Sequence, residues 1–329
     1  MRGKTMPMLI ELAAGPWAAC ILPAFGMNTV SLSFYGKPIL RAPPSLRKLE
    51  EDSCAYGIPV LLPPNRTDQG RFTFDGICYQ LPQNDQTLKC NLHGVLHQRP
   101  FTIMERTKYA VLAVYESAGE DYPFSFSLEV LCKLDRAGYR QQFVIKNTGN
   151  QDMPLTFGLH TTFLEQGLLR VDLGKRWVLN ERMLPTGEVE PLRQEEAAYL
   201  RGGRFRGQKI HGFYTASGHT AQIGNILYTV SENFDHWVLW NGDGKQGFCT
   251  IEPLQGGINA LNSGEGLIRL KPGQRAVFET NFQYAEARKS GLPCLLYIPD
   301  GVGGGMSRTP TGGKQYRRCP PPDRYWTYP

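Results

Sequence analysis

Arg71-Phe-Thr-Phe-Asp-Gly-Ile-Cys-Tyr79 decides the fold class. Phe72 and Phe74 alternate with polar neighbours, Asp75-Gly76 follows, and Ile77 and Tyr79 resume the apolar pattern. Both central positions of a two-residue hairpin turn need positive φ, which glycine adopts freely and aspartate tolerates. The segment therefore reads as two antiparallel strands joined by a tight turn. Outward from it the same signature repeats. Short strand-type runs are expected at 109–115, 124–134, 141–146, 155–163, 222–230, 237–240, 248–251, 266–270 and 276–284, with Asn147-Thr-Gly149 and Lys271-Pro-Gly273 as turns. Toward the N-terminus, residues 9–13 and 17–22 form a strand pair around Gly15-Pro16. Only residues 190–200 carry a helical pattern, with Pro191 suited to a first helical position. Many short strands and few helices predict an all-β fold of sandwich or barrel-like architecture.

The chain has 329 residues, of which 41% are hydrophobic and 20% charged, a balance that suits a globular protein. Residues 1–287 are expected to form a single β-sandwich domain. Residues 288–329 change character, with Gly303-Gly-Gly305, Thr311-Gly-Gly313 and Pro320-Pro-Pro322 and little periodicity. Such a basic tail buries too little apolar surface to offset its ordering entropy, and mostly disordered chain is expected there. The net charge is +6, and the tail contributes much of the excess, but no dense cationic run appears, so neither nucleic acid nor membrane is expected as a partner. Eight cysteines are scattered singly without zinc-type spacing, and reduced thiols are expected, with Cys78, Cys132 and Cys249 as small buried groups. Met1–Lys4 followed by apolar residues imitates an export signal, but Glu11, Gly15 and Pro16 interrupt its core. The expectation is a cytoplasmic protein, monomer or homodimer, with no metal and no cofactor.

Candidate site residues stand out by position. Alternation along 155–163 puts Leu155, Phe157, Leu159, Thr161 and Phe163 on one face and Thr156, Gly158, His160 and Thr162 on the other, leaving room for a polar ligand above Gly158. Glu252 directly precedes Pro253, which cannot donate to a ladder, so Glu252 is expected at a strand end. Asn65-Arg66 follows the stiff Pro63-Pro64, and a guanidinium offers several fixed donors to hydroxyl groups. His93 lies in the turn-like Asn91-Leu-His-Gly94. His97, His219 and His236 read as structural or surface residues. No P-loop, GxSxG or HExxH sequence occurs, which disfavours nucleotide, serine-hydrolase and zinc-protease chemistry.

In order, Gly57-Ile-Pro-Val-Leu-Leu62, Asn65-Arg66, the 70–84 hairpin, Leu92-His93-Gly94, Tyr122-Pro-Phe124, Gly158-Leu-His160, Leu184-Pro-Thr-Gly-Glu188, Ile251-Glu252-Pro253 and Leu270-Lys-Pro-Gly273 resemble the aldose 1-epimerase (galactose mutarotase) family. The resemblance spans about residues 9–284. It implies a large antiparallel β-sandwich, a supersandwich with few short helices, that binds a monosaccharide in an open cleft, with the histidine matching His160 as general acid and the glutamate matching Glu252 as general base. It also implies that Asn65, Arg66 and His93 contact the sugar. Where many members carry a sugar-binding aspartate, the best local match, Ile210-His211-Gly212-Phe213, offers His211. The histidine segment continues as Thr161-Thr162-Phe163 where many members have x-Tyr-Phe. The implied reaction is interconversion of the α and β anomers of a hexose such as galactose or glucose by ring opening and closure. The alternatives are a non-catalytic carbohydrate-binding or sugar-sensing protein on the same fold, a hexose-6-phosphate epimerase, and a glycoside hydrolase, for which Glu165, Asp235 and Asp243 are unplaced carboxylates.

Overall fold

The hairpin at 71–79 forms as its sequence dictates. In the computed structural model, which describes residues 7–205 and 207–285, strands Arg71–Phe74 and Ile77–Gln80 pair with Phe74 opposite Ile77. Asp75 and Gly76 hold φ of 50° and 77° between them. It is a small ribbon on a much larger body. Among the described residues, a 15-stranded sheet runs Thr102–Arg106, Ala110–Ser117, Phe126–Leu134, Gly138–Asn147, Arg275–Tyr284, Ile226–Val230, His211–Ile223, His236–Trp240, Phe248–Gln255, Phe157–Leu159, Val60–Leu61. Thr161–Leu164 and Leu168–Leu179 join off this path, and the latter also pairs Pro185–Glu190 and Gly203–Arg204. A separate four-stranded sheet comprises Ile10–Ala14, Trp17–Leu22, Asn28–Phe34 and Lys37–Pro38. The expected pair around Gly15-Pro16 is the start of this second sheet, with Ala14 opposite Trp17.

Packing follows from alternation. In Phe126–Leu134 every second residue, from Phe126 through Leu128, Val130 and Cys132 to Leu134, is buried in one continuous core. That core also takes Ile10, Leu12, Trp17, Ala19 and Ile21 from the second sheet, so the two sheets close over it. Burying this apolar surface is the main favourable term in folding. Among the described residues three short α-helices decorate the sandwich: Leu46–Glu51, Gln194–Ala197 and Ala260–Ser263. The fold is all-β, with two antiparallel sheets closed over one core.

Five local expectations are corrected. The helical pattern at 190–200 yields only Gln194–Ala197 and a 3-10 turn, Ala198–Leu200, because strand Pro185–Glu190 claims its first residue and Arg193 is the N-cap. Pro191 therefore precedes the helix. Residues 222–230 are not one strand: Gly224, at φ 55°, turns the chain between His211–Ile223 and Ile226–Val230. Cys78 is exposed on the ribbon's outer face, whereas Cys132 and Cys249 are buried. Glu252 lies inside strand Phe248–Gln255, which continues through Pro253. Its neighbours explain why. On one edge the ladder holds at Ile251 opposite Thr161 and at Leu254 opposite Gly158, and lapses between them, where Pro253 has no N–H to give. On the other edge the ladder is unbroken, with Trp237 opposite Pro253 and Val238 opposite Glu252, and this carries the strand past the proline. Finally, the space above Gly158 is filled, since a Cβ there would collide with Leu254 and approach Pro64.

The expected 288–329 tail, the 287/288 domain boundary and the export-like Met1–Lys4 lie outside the described residues. Among the described residues no helix is long and apolar enough to cross a membrane.

Candidate active site

Strand Phe248–Gln255 is buried on both faces. Cys249 and Ile251 point into the main core, while Leu254 joins a smaller cluster with Leu61, Leu184, Phe213, Val238 and Ile258. Glu252, two residues from Leu254, shares that second face by strand period. Strand His236–Trp240 behaves alike: Trp237 and Leu239 enter the core, Val238 the second cluster. The second face of the large sheet is thus the floor of a cleft. Asp52, Cys54, Ala55, Asn65, Arg66, Leu92, His93, His160, His211, Val238, Trp240 and Glu252 line it around about 260 Å³.

All six residues singled out from the sequence meet there, drawn from positions 65 to 252. His160 occupies the break between strands Phe157–Leu159 and Thr161–Leu164, its N–H donating to the Pro59 carbonyl at 3.0 Å. The break does not cost the alternation, since Leu159 and Phe163 still face the core. Its Nε2 lies 3.3 Å from Glu252 Oε1, with both side chains under 10% exposed. Thr250 Oγ1 lies 2.9 Å from that carboxyl oxygen and 3.1 Å from the Trp240 carbonyl. The His93 and His160 rings meet edge to face at 5.2 Å.

Asn65 and His93 form a reciprocal lock. Asn65 N–H donates to His93 Nδ1 at 3.2 Å, and His93 N–H donates to the Asn65 carbonyl at 2.8 Å. Both residues adopt left-handed backbone, φ 54° and 64°. Asparagine enters that region readily, and histidine does so more often than most residues. Gly94 makes the approach possible, because a Cβ there would run into the Leu62 carbonyl. Gly94→Ala should therefore open the lock, with strain of about 2 kcal/mol or more and a melting temperature lower by about 5 °C. Calorimetry of the variant checks this. Arg66 Nη1 donates to Asn65 Oδ1 at 3.2 Å. His211 sits exposed at the cleft's edge, at the end of its strand.

Burial dominates the electrostatics. It pushes the Glu252 carboxyl up to about 8, against the Thr250 hydroxyl and the charge of Arg66. It holds the His160 imidazole down at about 4, partly offset by the Asp52 carboxylate. His93 is driven well below the usual imidazole range by burial and by neighbouring His160, His97 and Arg66, so it is neutral at pH 7. With Nδ1 accepting from Asn65, its proton belongs on Nε2. His211, exposed at its edge, is still lowered by partial desolvation against the cleft and by the charges of Arg66, Lys209 and Arg176. Over the interval between 4 and 8 the His160–Glu252 pair holds one ionisable proton. Moving it from oxygen to nitrogen gives carboxylate and imidazolium without exchange with solvent. Glu252 Oε2, His160 Nδ1 and Arg66 Nε are buried with no hydrogen-bond partner in the protein. Buried polar atoms are usually paired, so three such orphans around one cleft mark a place built for a polar ligand.

Sequence reasoning missed Asp52, Cys54, Val238 and Trp240. Val238 and Trp240 carried a signal, being alternate residues of an expected strand; Asp52 and Cys54 lie in a loop with none. His97 is buried and hydrogen-bonds the His93 backbone. His236 is buried against Asp235, Nδ1 to Oδ1 2.7 Å. Glu165, Asp235 and Asp243 are not among the cleft residues. Among the described residues no three His, Cys, Asp or Glu side chains are grouped to hold a metal ion.

Comparison with known proteins gives a consistent picture. The aldose 1-epimerase family profile matches residues 8–283. An uncharacterised Escherichia coli K12 protein, YihR, is 28% identical over 282 residues, covering 80% of this chain and 89% of its own. A galactose mutarotase-like protein from Clostridium acetobutylicum superposes with a TM-score of 0.79 at 25% identity, covering 84% of this chain and 94% of that one. Galactose 1-epimerase from Lactobacillus acidophilus NCFM shares the fold alone: TM-score 0.70, 15% identity, 85% and 95% covered.

Proposed function

The chain belongs to the aldose 1-epimerase family, and from that membership we propose that it interconverts the α and β anomers of a hexose, with Glu252 and His160 as the acid/base pair. Changing the anomer requires breaking the C1–O5 bond and reclosing the ring on the other carbonyl face. O1 must lose a proton as the carbonyl forms, and O5 must gain one to leave. Both oxygens sit on the same carbon, so the two protein groups that serve them must stand side by side. The observation that carries the reading is the buried His160 Nε2 and Glu252 Oε1 at 3.3 Å within one sugar-sized cleft.

In the reactive protonation state Glu252 is carboxylate and His160 imidazolium. Glu252 takes the O1 proton while His160 gives its proton to O5, which leaves the neutral pair and an open-chain aldehyde. Rotation about C1–C2 presents the other face, and ring closure returns both protons in reverse. Arg66, Asn65, neutral His93 and His211 contact ring hydroxyls and hold C1 against the pair, which is where positioning lowers the barrier. No hydride moves and no net proton is consumed.

The test is ring-anomer exchange. Freshly dissolved α-D-glucose and α-D-galactose are followed by polarimetry or NMR with and without the protein, corrected for spontaneous equilibration. Faster approach to the anomeric equilibrium for at least one sugar is the expected result. Sugar binding without acceleration would overturn the enzyme in favour of a sugar-binding protein on this fold.

A further inference from the structure

One side of the cleft, formed by Arg66, Asn65 and His93, is rich in donors and poor in acceptors. Arg66 carries donors only. His93 uses Nδ1 to accept from Asn65 and so presents Nε2–H. Asn65 Oδ1 is taken by Arg66, leaving its amide N–H groups for a ligand. A sugar hydroxyl both donates and accepts. A hexose gripped by these three residues would find partners for its oxygens and none for its hydroxyl protons. Glu252 is committed to O1 in the mechanism above.

Asp52 is the other carboxylate lining the cleft. Its side chain is exposed and makes no ion pair or side-chain hydrogen bond among the described residues. It is nonetheless held in place. Helix Leu46–Glu51 ends on the Asp52 N–H to Lys48 carbonyl bond, 3.1 Å, and Ala55 N–H returns to the Asp52 carbonyl at 3.2 Å. Leu46 and Leu49 anchor the helix against Cys20, Leu22 and Val30 of the second sheet. Gln98 Nε2 donates to the buried Ser53 hydroxyl at 3.2 Å, tying the same loop to the turn that follows His93. A free carboxylate on a fixed loop at the edge of a donor-rich cleft is a preorganised acceptor.

We propose that Asp52 is a specificity residue of this cleft, its carboxylate accepting hydrogen bonds from sugar hydroxyls that the Arg66, Asn65 and His93 side cannot satisfy. The proposal rests on the anomerase reading and adds a residue to it. A second consequence follows from position. His160 faces Glu252, Asp52, His93 and His97, and besides its partner Glu252 the neighbour whose charge favours the imidazolium is Asp52.

The experiment compares the full-length parent with Asp52→Ala and Asp52→Asn, measuring kcat, KM and the pH profile of hexose anomer exchange by NMR. Asp52→Ala should raise KM about tenfold or more, the worth of a hydrogen bond to a charged group, with a smaller change in kcat at pH 7. Its acid limb should move to lower pH, because losing the anion makes His160 harder to protonate. Asp52→Asn keeps an acceptor oxygen without charge. It should recover part of the KM loss while its acid limb moves as far as that of Asp52→Ala. A merely structural aspartate would produce neither this split nor the shifted limb. A KM within twofold of the parent in Asp52→Ala overturns the proposal. If the parent accelerates no anomer exchange, the functional reading fails separately, and Asp52 is judged by calorimetric binding of glucose and galactose. Tenfold weaker binding in Asp52→Ala then supports it, and equal or undetectable binding in both proteins overturns it.

Discussion

Glu252→Gln and His160→Gln should each slow anomer interconversion by about 10²–10⁴-fold, the usual worth of a positioned acid or base. Each replacement keeps side-chain size and hydrogen-bonding capacity but removes a proton acceptor or donor with tunable pKa. Because the two groups share one proton relay, the double variant should lose little more than the worse single one. Stability separates this loss from misfolding. Burial raises Glu252 to about 8, above its unfolded value near 4.5. The unfolded chain therefore releases a proton that the folded chain retains, and stability associated with this group is lost as pH rises from about 4.5 through 8. Glutamine has no such proton. Glu252→Gln should melt a few degrees above the parent at pH 8, with the difference fading toward pH 4.5. Near-parental rates in both single variants would remove the acid/base assignment.

The pH profile carries the second large effect. Active protein needs one proton on the pair, and that state lies between the value of about 4 for His160 and about 8 for Glu252. Below the first, the pair takes up a second proton and Glu252 cannot act as base. Above the second, the pair is bare and His160 cannot act as acid. The dependence of kcat/KM on pH should therefore be bell-shaped and broad, falling about tenfold per unit outside each limb. The limbs belong to the pair rather than to either residue. NMR exchange rates from pH 3.5 to 9.5, with spontaneous exchange subtracted at each pH, give the curve. A profile flat through both limbs would mean that neither group transfers a proton in the slow step.

The sequence by itself determined what is local or periodic. Alternation at 126–134 and the Asp75-Gly76 turn specify strands and a tight hairpin wherever they occur, because side-chain direction and turn geometry depend on nearest neighbours. The same alternation separated His160 from the core-facing Leu159 and Phe163, a distinction that survived the break in its strand. The ordered motifs from Gly57 to Gly273 pointed to the family that the profile match establishes. Tertiary structure alone decided what depends on residues distant in the chain. Pro253 marked Glu252 as a strand end only while its neighbours were unknown; the unbroken ladder with strand His236–Trp240 lets the strand continue. Gly158 offered open space until Leu254 and Pro64 filled it. Asp52 had no pattern to reveal it, because a loop residue is brought to a cleft by the helix, sheet and turn that hold it. Above all, burial of Glu252 and His160 comes from the folded surroundings of both, and that burial moves their proton affinities toward one another's range.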